Sequence, residues 1–304
     1  MKTAFTLLRN RNFLLVLAIT LGILLGKGAQ AAERLVIPAL AIIMTLSVAG
    51  IPNQIFQSPR AFFSPVLWGL AVHYGLLSGL YFVLNNLLIH EPNFKTGFVI
   101  LLSVPPAVAV IPFTFVLKGD LIFSLMATIG CYLAALIFMP IITVGLIGSG
   151  FVDRQKLALI MIELIIVPLV FSRFLKWRDL SQKIEPYKGT IINWGFFLVT
   201  YTIVGLNRNL FINHPTLITP VVAVSLIGTF LLGWVIETVG QKIRMDPQRL
   251  TSLILLGTQK NTGMAAGLAL TLFNDRTALP ATVCTVIMII HFVWLNLRRR
   301  GISR

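Results

Sequence analysis

The chain alternates long apolar runs with short polar joints. A helix needs about 20 apolar residues to span a bilayer core, and ten of the runs approach or exceed that length. We predict transmembrane helices at residues 12–26, 35–51, 65–89, 96–117, 121–147, 157–176, 190–206, 217–239, 250–273 and 279–297. No joint is long enough to form a soluble domain, so the pattern predicts an all-α integral membrane protein.

Composition agrees with this prediction. The chain is 57% hydrophobic and 12% charged, whereas soluble domains contain about 25% charged residues. The formal net charge of +15 would suggest nucleic-acid binding in a soluble protein. Here the basic residues lie at the ends of apolar runs without interleaved aromatic residues, so the expected partner is the lipid bilayer and not nucleic acid. Cys131 and Cys284 lie inside apolar runs, so neither a disulfide nor a metal site is predicted, and nothing indicates a cofactor.

The distribution of Lys and Arg predicts the orientation. Of the 25 basic residues, 17 lie at the termini and at the joints after even-numbered spans, 7 lie at the opposite joints, and Lys260 lies within a span. Cytoplasmic joints are enriched in Lys and Arg, so both termini are predicted to be cytoplasmic, in a plasma (inner) membrane. A competing interpretation treats the first span as a signal peptide cleaved after Ala-Gln-Ala at 29–31, which would leave nine spans.

Lys260 lies near the middle of the ninth predicted span. A lysine at mid-bilayer costs at least roughly 2.5–3.5 kcal/mol on insertion scales, so it must face protein, water or a substrate. Its neighbours Thr258, Gln259, Asn261 and Thr262 can satisfy freed backbone groups, which favours a broken helix. The structural alternative is a lysine that only bonds nearby carbonyl groups and holds the bundle together.

The fourth span is interrupted in another way. Pro105, Pro106 and Pro112 remove backbone donors and oppose helical continuity. The two interruptions are five spans apart, which is the pattern of a transporter built from two inverted five-helix repeats, here 1–150 and 151–304. A ligand site is expected where they meet. His73, about a third of the way into span three, is a candidate for this site, and its alternative role is a bond to a neighbouring helix.

Three segments carry a family resemblance. The run FTFVLKGDLIFSLMATIGCYLAALIFMP keeps a Lys-Gly-Asp joint, with Ser124 and Thr128 following Asp120 at four and eight residues. With SPVLWGLAVHY and NTGMAAGLAL, it resembles the bile acid:sodium symporter family, within the bile-arsenite-riboflavin transporter group. The resemblance implies crossing broken helices four and nine, a core of spans three to five and eight to ten, and a panel of spans one, two, six and seven. Pro112, Thr114, Ser124 and Thr128 therefore join the candidate substrate and coupling site.

The sequence departs from the family where sodium is bound. Sodium-coupled members carry a Glu and a Gln-Asn pair in helix nine, a Ser-Asn pair in helix four and a Gln in helix three. The residues at these positions are Leu256, Lys260, Asn261, Val110, Ile111 and His73. A sodium ion needs several oxygen ligands, so we predict that the sodium sites are absent and that Lys260 supplies the positive charge in their place.

Two mechanisms follow from a lysine at this position. In the first, Lys260 gains and loses a proton with the help of His73, which couples proton movement to the substrate. In the second, Lys260 stays charged and pairs with an anionic substrate during uniport or exchange. Both favour a small organic anion as the substrate, and protons are a partner in the first only.

The sequence also bears on other classes of function. An intramembrane enzyme needs acidic clusters, a His-Glu-x-x-His motif or paired catalytic residues at depth, and the sequence has none, so no catalytic residue is assigned. A sodium-coupled organic anion symporter, and a solute sensor or channel on the same fold, remain open at this point. The sequence thus predicts a secondary transporter that works by alternating access.

Overall fold

The computed structural model describes residues 11–49, 59–148, 150, 152–178 and 180–302. Within these residues the chain is helical and has no β-strand. The predicted end of span two at residue 51, the terminal residues 1–10 and 303–304, and residue 151 at the predicted boundary between repeats lie outside the described residues.

The helices are named in chain order. Those before residue 117 are α1 (Arg11–Leu24), α2 (Ala29–Glu33), α3 (Val36–Ala49), α4 (Pro59–Leu70, Ala71–Ser78 and Gly79–Leu88), α5 (Pro92–Ser103) and α6 (Val110–Val116). Those that follow are α7 (Leu121–Ile147), α8 (Arg154–Met161, Ile162–Ile166 and Val167–Trp177), α9 (Leu180–Leu206), α10 (Arg208–Asn213), α11 (Pro215–Leu226, Ile227–Leu231 and Leu232–Lys242), α12 (Pro247–Leu256), α13 (Thr262–Leu272) and α14 (Asp275–Ile302). The middle segments of α4, α8 and α11 are π-helical turns.

Six of the described helices, α4, α7, α8, α9, α11 and α14, are long and apolar enough to cross a membrane. A pair bent by 93°, Phe13–Leu24 with Gly26–Glu33, would add a seventh. The chain is therefore an all-α, multi-pass membrane protein, as the apolar runs predict. Predicted spans four and nine are each divided into two short helices, α5 with α6 and α12 with α13. Helix α3 has 14 residues before the undescribed segment 50–58.

Large apolar side chains cover the outside of these helices. Phe63, Phe115, Ile137, Val170 and Trp177 are each more than half exposed. Soluble monomers rarely expose contiguous apolar surface on this scale. In a bilayer the same side chains face lipid tails, which are as apolar as the side chains themselves.

The helices pack in two groups. Helix α9 packs along α1 and α3, and the second half of α8 packs along α3. In the other group, α4 and α5 pack on α7, α14 packs on α5, α11 and α13, and α12 packs on α7 and α11. Because α5, α6, α12 and α13 all belong to the second group, both interrupted spans lie within it.

Small residues allow close packing in the second group, where α4 crosses α7. A Cβ added at Gly69 would lie 2.8 Å from the Cβ of Ala127, and one added at Gly130 would overlap the side chain of Val66. Helices in a membrane associate by such close backbone approach, since lipid offers them no hydrophobic driving force.

Acidic residues cap four of the helices. Glu91, Asp120, Asp153 and Asp246 accept backbone N–H bonds at the starts of α5, α7, α8 and α12. A carboxylate at this position satisfies otherwise unbonded N–H groups and complements the helix dipole. These acids therefore act at helix ends and not in the interior of the bundle.

Candidate functional site

The first interruption lies between α5 and α6. The N–H of Val104 still bonds the carbonyl of Ile100, and the chain then becomes extended through Pro105 and Pro106. Helix α6 begins at Val110. Proline has no N–H and blocks the preceding helical turn, which explains why the helix ends here and leaves backbone groups that need other partners.

The second interruption, between α12 and α13, provides those partners. The N–H of Ala107 donates to the carbonyl of Gln259 at 2.9 Å, and the N–H of Asn261 donates to the carbonyl of Pro105 at 2.9 Å. These two bonds form a short antiparallel bridge centred on Pro106 and Lys260. Irregular backbone at membrane depth is tolerated when protein covers it, and here each interruption covers the other.

Lys260 is fully buried, and its ammonium group is bonded entirely within the protein. Nζ donates to Ser78 Oγ at 2.7 Å, to the Leu102 carbonyl at 3.0 Å and to the Val104 carbonyl at 3.1 Å. The three acceptors match the three donors of an ammonium group. Leu102 and Val104 lie at the C-terminal end of α5, where carbonyl groups carry partial negative charge.

Aromatic and neutral groups complete the surroundings of the ammonium. Nζ lies 4.9 Å from the centre of the Tyr74 ring, in cation–π geometry. Tyr74 in turn packs edge-on against Phe138 of α7 at 4.9 Å. Among the described residues no carboxylate forms an ion pair with Lys260. A buried positive charge without an acidic partner is costly, which marks this lysine as the candidate centre of the site.

His73 also contacts both interruptions. It is fully buried, with Nδ1 2.9 Å from the Leu256 carbonyl and Nε2 3.1 Å from the Val104 carbonyl. His73 and Ser78 belong to the π-helical segment of α4, and Ser78 donates to the Leu102 carbonyl at 2.7 Å. π-helical turns often occur at functional sites, and this one brings two side chains to the end of α5.

A small cavity of about 40 Å³ lies beside the bridge. Its walls come from α3, α9, α14 and the two interruptions, and include Leu40, Met44, Phe196, Gln259, Asn261 and Thr285. It has room for about three water molecules. Organic ligands occupy pockets of about 300–1,000 Å³, so the site is closed in this structure. Lys260 forms part of the wall, although the groups bonded to Nζ do not.

Asn261 connects the cavity to three helices. Its Oδ1 accepts from the N–H of Met264 and caps α13, and its Nδ2 donates to Tyr132 Oη of α7 at 2.8 Å. Nδ2 also lies 3.5 Å from Met44 Sδ of α3. Thr262 Oγ1 accepts a bond from Thr285 of α14 at 2.7 Å. The polar groups at the start of α13 are thus fixed in position.

The remaining predicted site residues lie elsewhere. Pro112 is exposed in the first turn of α6, where a missing N–H costs little. Thr258 is buried and bonds the Ile254 carbonyl. Thr114 and Ser124 are hydrogen-bonded to each other at 2.8 Å, and Thr128 Oγ1 is buried without a partner among the described atoms. None of these five residues lines the cavity.

Three residues contribute groups that the sequence did not single out: Tyr74, Ser78 and Tyr132. Ser78 follows His73 by five residues, which places the two together in a π-helical turn but not in a regular α-helix. Tyr74 and Tyr132 lie in apolar runs and belong to no motif. Their hydroxyl groups, as polar groups within apolar runs, are the one sequence feature that could have indicated them.

The described residues contain a second, larger groove that is separate from this cavity. A groove of about 650 Å³ between α7 and α8 is lined by apolar side chains and Arg154, and no predicted site residue reaches it. The described residues contain no group of three His, Cys, Asp or Glu that could hold a metal ion. At the positions where the family resemblance implies sodium ligands, Leu256 and Val110 are buried and apolar.

No protein-family model and no curated protein matches the chain. Its function is therefore inferred from the geometry of the bridge, the ammonium and the cavity.

Proposed function

We propose that the chain is a secondary transporter that moves a small organic anion by alternating access, without bound sodium. It would belong to the bile acid:sodium symporter-like transporters and would not be an enzyme. It would lie in a plasma (inner) membrane with both termini cytoplasmic. The observation that carries this proposal is a buried ammonium without a carboxylate, placed where two interrupted helices are bonded to each other beside a cavity.

Several features recur five predicted spans apart, which supports two inverted repeats of five helices. Spans four and nine are interrupted, and each starts with an acidic cap, Glu91 and Asp246. Spans three and eight, which are α4 and α11, each contain a π-helical segment. An odd number of spans per repeat inverts the second copy, so equivalent interruptions approach each other near the membrane midplane.

The two groups of helices support alternating access. The group of α1, α3, α8 and α9 corresponds to the panel implied by the family resemblance, and the other group corresponds to the core. The cavity lies between them, since Leu40 and Phe196 belong to the panel and Gln259 and Asn261 to the core. Movement of one group against the other would enlarge this cavity and expose it in turn to each side of the membrane.

The charge of the site favours an anion as the substrate. The ammonium of Lys260 is bonded only to neutral acceptors, so its charge remains uncompensated. The start of α13, at Asn261 to Gly263, lines the cavity, and helix N-termini carry partial positive charge. Both features stabilise a negative charge in the cavity. A sodium ion would be repelled by the same ammonium.

Solute flux tests this proposal. Proteoliposomes would be assayed for uptake of labelled carboxylates (acetate, benzoate and cholate) and of uncharged and cationic solutes of similar size. We expect uptake of at least one carboxylate, no uptake of the cations, and at least a tenfold loss in Lys260→Met. The matched control is Lys242→Met, because Lys242 is exposed at the end of α11.

Two outcomes would contradict the proposal. Carboxylate binding without flux would indicate a solute sensor on the same fold. Uptake that requires sodium on the side of the substrate would indicate an ordinary sodium symporter, and the interpretation of Lys260 as a substitute for sodium would be wrong.

A further inference from the structure

The imidazole of His73 has an acceptor at each nitrogen. Nδ1 lies 2.9 Å from the Leu256 carbonyl, and Nε2 lies 3.1 Å from the Val104 carbonyl. A carbonyl oxygen accepts hydrogen bonds but cannot donate one, and a neutral imidazole carries a single N–H. In the neutral ring, one nitrogen lone pair therefore faces an oxygen. Only the doubly protonated ring donates to both carbonyl groups.

The second protonation is opposed by burial of the ring and by one nearby charge. Lys260 Nζ donates to the same Val104 carbonyl at 3.1 Å. The other titratable groups around the pair are Tyr74 on α4, whose ring is 5.0 Å from that of His73, and Cys131 and Tyr132 on α7, and none of these side chains can carry a positive charge. Among the described residues no carboxylate contacts His73 or Lys260. Like charges in a poorly polarisable interior repel strongly, so the pair holds at most one positive charge when nothing else is present.

An anion in the adjacent cavity favours the second protonation of His73. Lys260 connects the cavity to His73. Its backbone lies in the bridge beside the cavity, and its side chain reaches the Val104 carbonyl that His73 contacts. A negative charge in the cavity offsets the ammonium, and the ring can then take a second proton and satisfy both carbonyl groups.

We infer that His73 and Lys260 form one proton-binding site that takes up a proton together with the transported anion. The proton comes from the aqueous phase and binds the unprotonated ring nitrogen of His73, and no covalent bond to the substrate forms. The inference rests on the proposed function to the extent that the anion occupies this cavity. It identifies the proton as the coupling ion.

Proton uptake also links the substrate to the pairing of the two interrupted helices. Val104 ends α5 and Leu256 ends α12, so a doubly protonated His73 bonds the ends of both interrupted helices at once. The neutral ring bonds only one of them. Binding of the anion and the proton together therefore stabilises the arrangement in which His73 bonds the ends of both α5 and α12. By thermodynamic linkage, each of the two raises the affinity of the protein for the other.

The anion-dependent part of the inference is tested on the wild-type protein. Binding of acetate, benzoate and cholate would be measured by thermal shift between pH 5.5 and 8.5. For an anion that binds, we expect the apparent Kd to rise towards tenfold per pH unit at the alkaline end. A His73→Gln variant, which keeps a donor and an acceptor, should bind with a Kd independent of pH. A wild-type Kd that does not change with pH overturns proton coupling while leaving the transporter proposal intact.

The proton site itself is tested without any substrate, so a failure of the proposed function cannot be confused with a failure of the inference. Nitrogen-15 spectra of histidine-labelled protein in lipid would report the state of each of the 4 histidines, with His73 assigned by its loss in His73→Gln. We expect a neutral His73 ring in the wild type near pH 7, and we expect the second ring nitrogen to become protonated at a higher pH in Lys260→Met than in the wild type. Lys260→Gln provides a second variant if Lys260→Met does not fold. A His73 ring in the same state with and without the lysine, from pH 5 to 8, would overturn the shared site.

Discussion

Pro106 and Lys260 lie opposite each other in an antiparallel bridge, although they belong to the predicted fourth and ninth spans. Proline removes a helical donor, and the buried lysine needs acceptors that a regular helix does not offer. The two requirements are met together, because the end of α5 provides carbonyl groups that accept from the lysine. This relationship explains why interruptions that would each be unfavourable alone are stable as a pair.

The first prediction concerns the stability that Lys260 confers. Lys260→Met removes three buried hydrogen bonds, to Ser78 Oγ and to the Leu102 and Val104 carbonyls. Ser78 Oγ then lacks a donor, while Ser78 and His73 remain the partners of the two carbonyls. Leaving buried polar groups unbonded costs about 1–3 kcal/mol each, and removal of the buried charge offsets part of that cost. We expect a net destabilisation of about 2 kcal/mol, measured as thermal or denaturant unfolding in detergent.

Lys242→Met, on the exposed end of α11, should change the free energy of unfolding by less than about 0.5 kcal/mol. Equal stability of the two variants would contradict the role of the ammonium in the bridge.

The second prediction concerns the bond between Asn261 and Tyr132. Asn261→Ala removes the α13 cap and the donor to Tyr132 Oη, which should cost about 1–2 kcal/mol. Tyr132→Phe should cost about 1 kcal/mol. Because the two side chains are bonded at 2.8 Å, the double variant should lose less than the sum, with a coupling of about 0.5–1 kcal/mol. The control Asn86→Ala, on the exposed face of α4, should be nearly neutral, and strict additivity would contradict the bond.

The third prediction tests the movement of the two helix groups. A Cβ at Gly263 of α13 would lie 3.0 Å from Leu40 Cδ2 of α3, and these helices belong to different groups. In a background without Cys131 and Cys284, the Leu40→Cys/Gly263→Cys pair should be bridged by mercury, and bridging should abolish uptake. The matched pair Gly69→Cys/Ala127→Cys lies within the second group and should be bridged without loss of uptake. Full uptake by the bridged Leu40–Gly263 pair would contradict alternating access.

The fourth prediction concerns the crossing of α4 and α7. Gly130→Ala places a methyl group against the side chain of Val66, and overpacking of this kind costs about 1–3 kcal/mol. Val66→Ala should restore most of the lost stability by making room. Unfolding in detergent measures both changes, and a Gly130→Ala variant as stable as wild type would show that the crossing is looser than described.

The sequence made candidates of the residues that carry a large energetic signal. Lys260 stood out because a charge at mid-bilayer is costly, and Pro105 and Pro106 indicated where a helix must end. The structure has interruptions at both places. Their pairing is consistent with the expectation that they meet, while the ten-span inverted repeat stays a proposal.

Other features depend on tertiary packing and left little local signal. The π-helical turn in α4 changes which residues share a face, so Ser78 was not associated with His73. The chain is extended at Lys260, where neighbouring side chains point in opposite directions, and its Nζ therefore reaches α5 while Gln259 and Asn261 line the cavity. Pro112 was expected to interrupt the span but lies in the first turn of α6, where a proline removes no helical hydrogen bond.

The central claim is that the ammonium of Lys260 occupies the role of a bound sodium ion, and thermal unfolding in sodium tests it most directly. Purified wild type and Lys260→Ala would be titrated with NaCl and, at equal ionic strength, with choline chloride. A ligand that binds only the native state stabilises it by about 2.7 kcal/mol at a hundred times its Kd. We predict that the wild type unfolds at the same temperature in both salts. A sodium-specific rise in the unfolding temperature of the wild type would contradict the claim and indicate a sodium-coupled symporter.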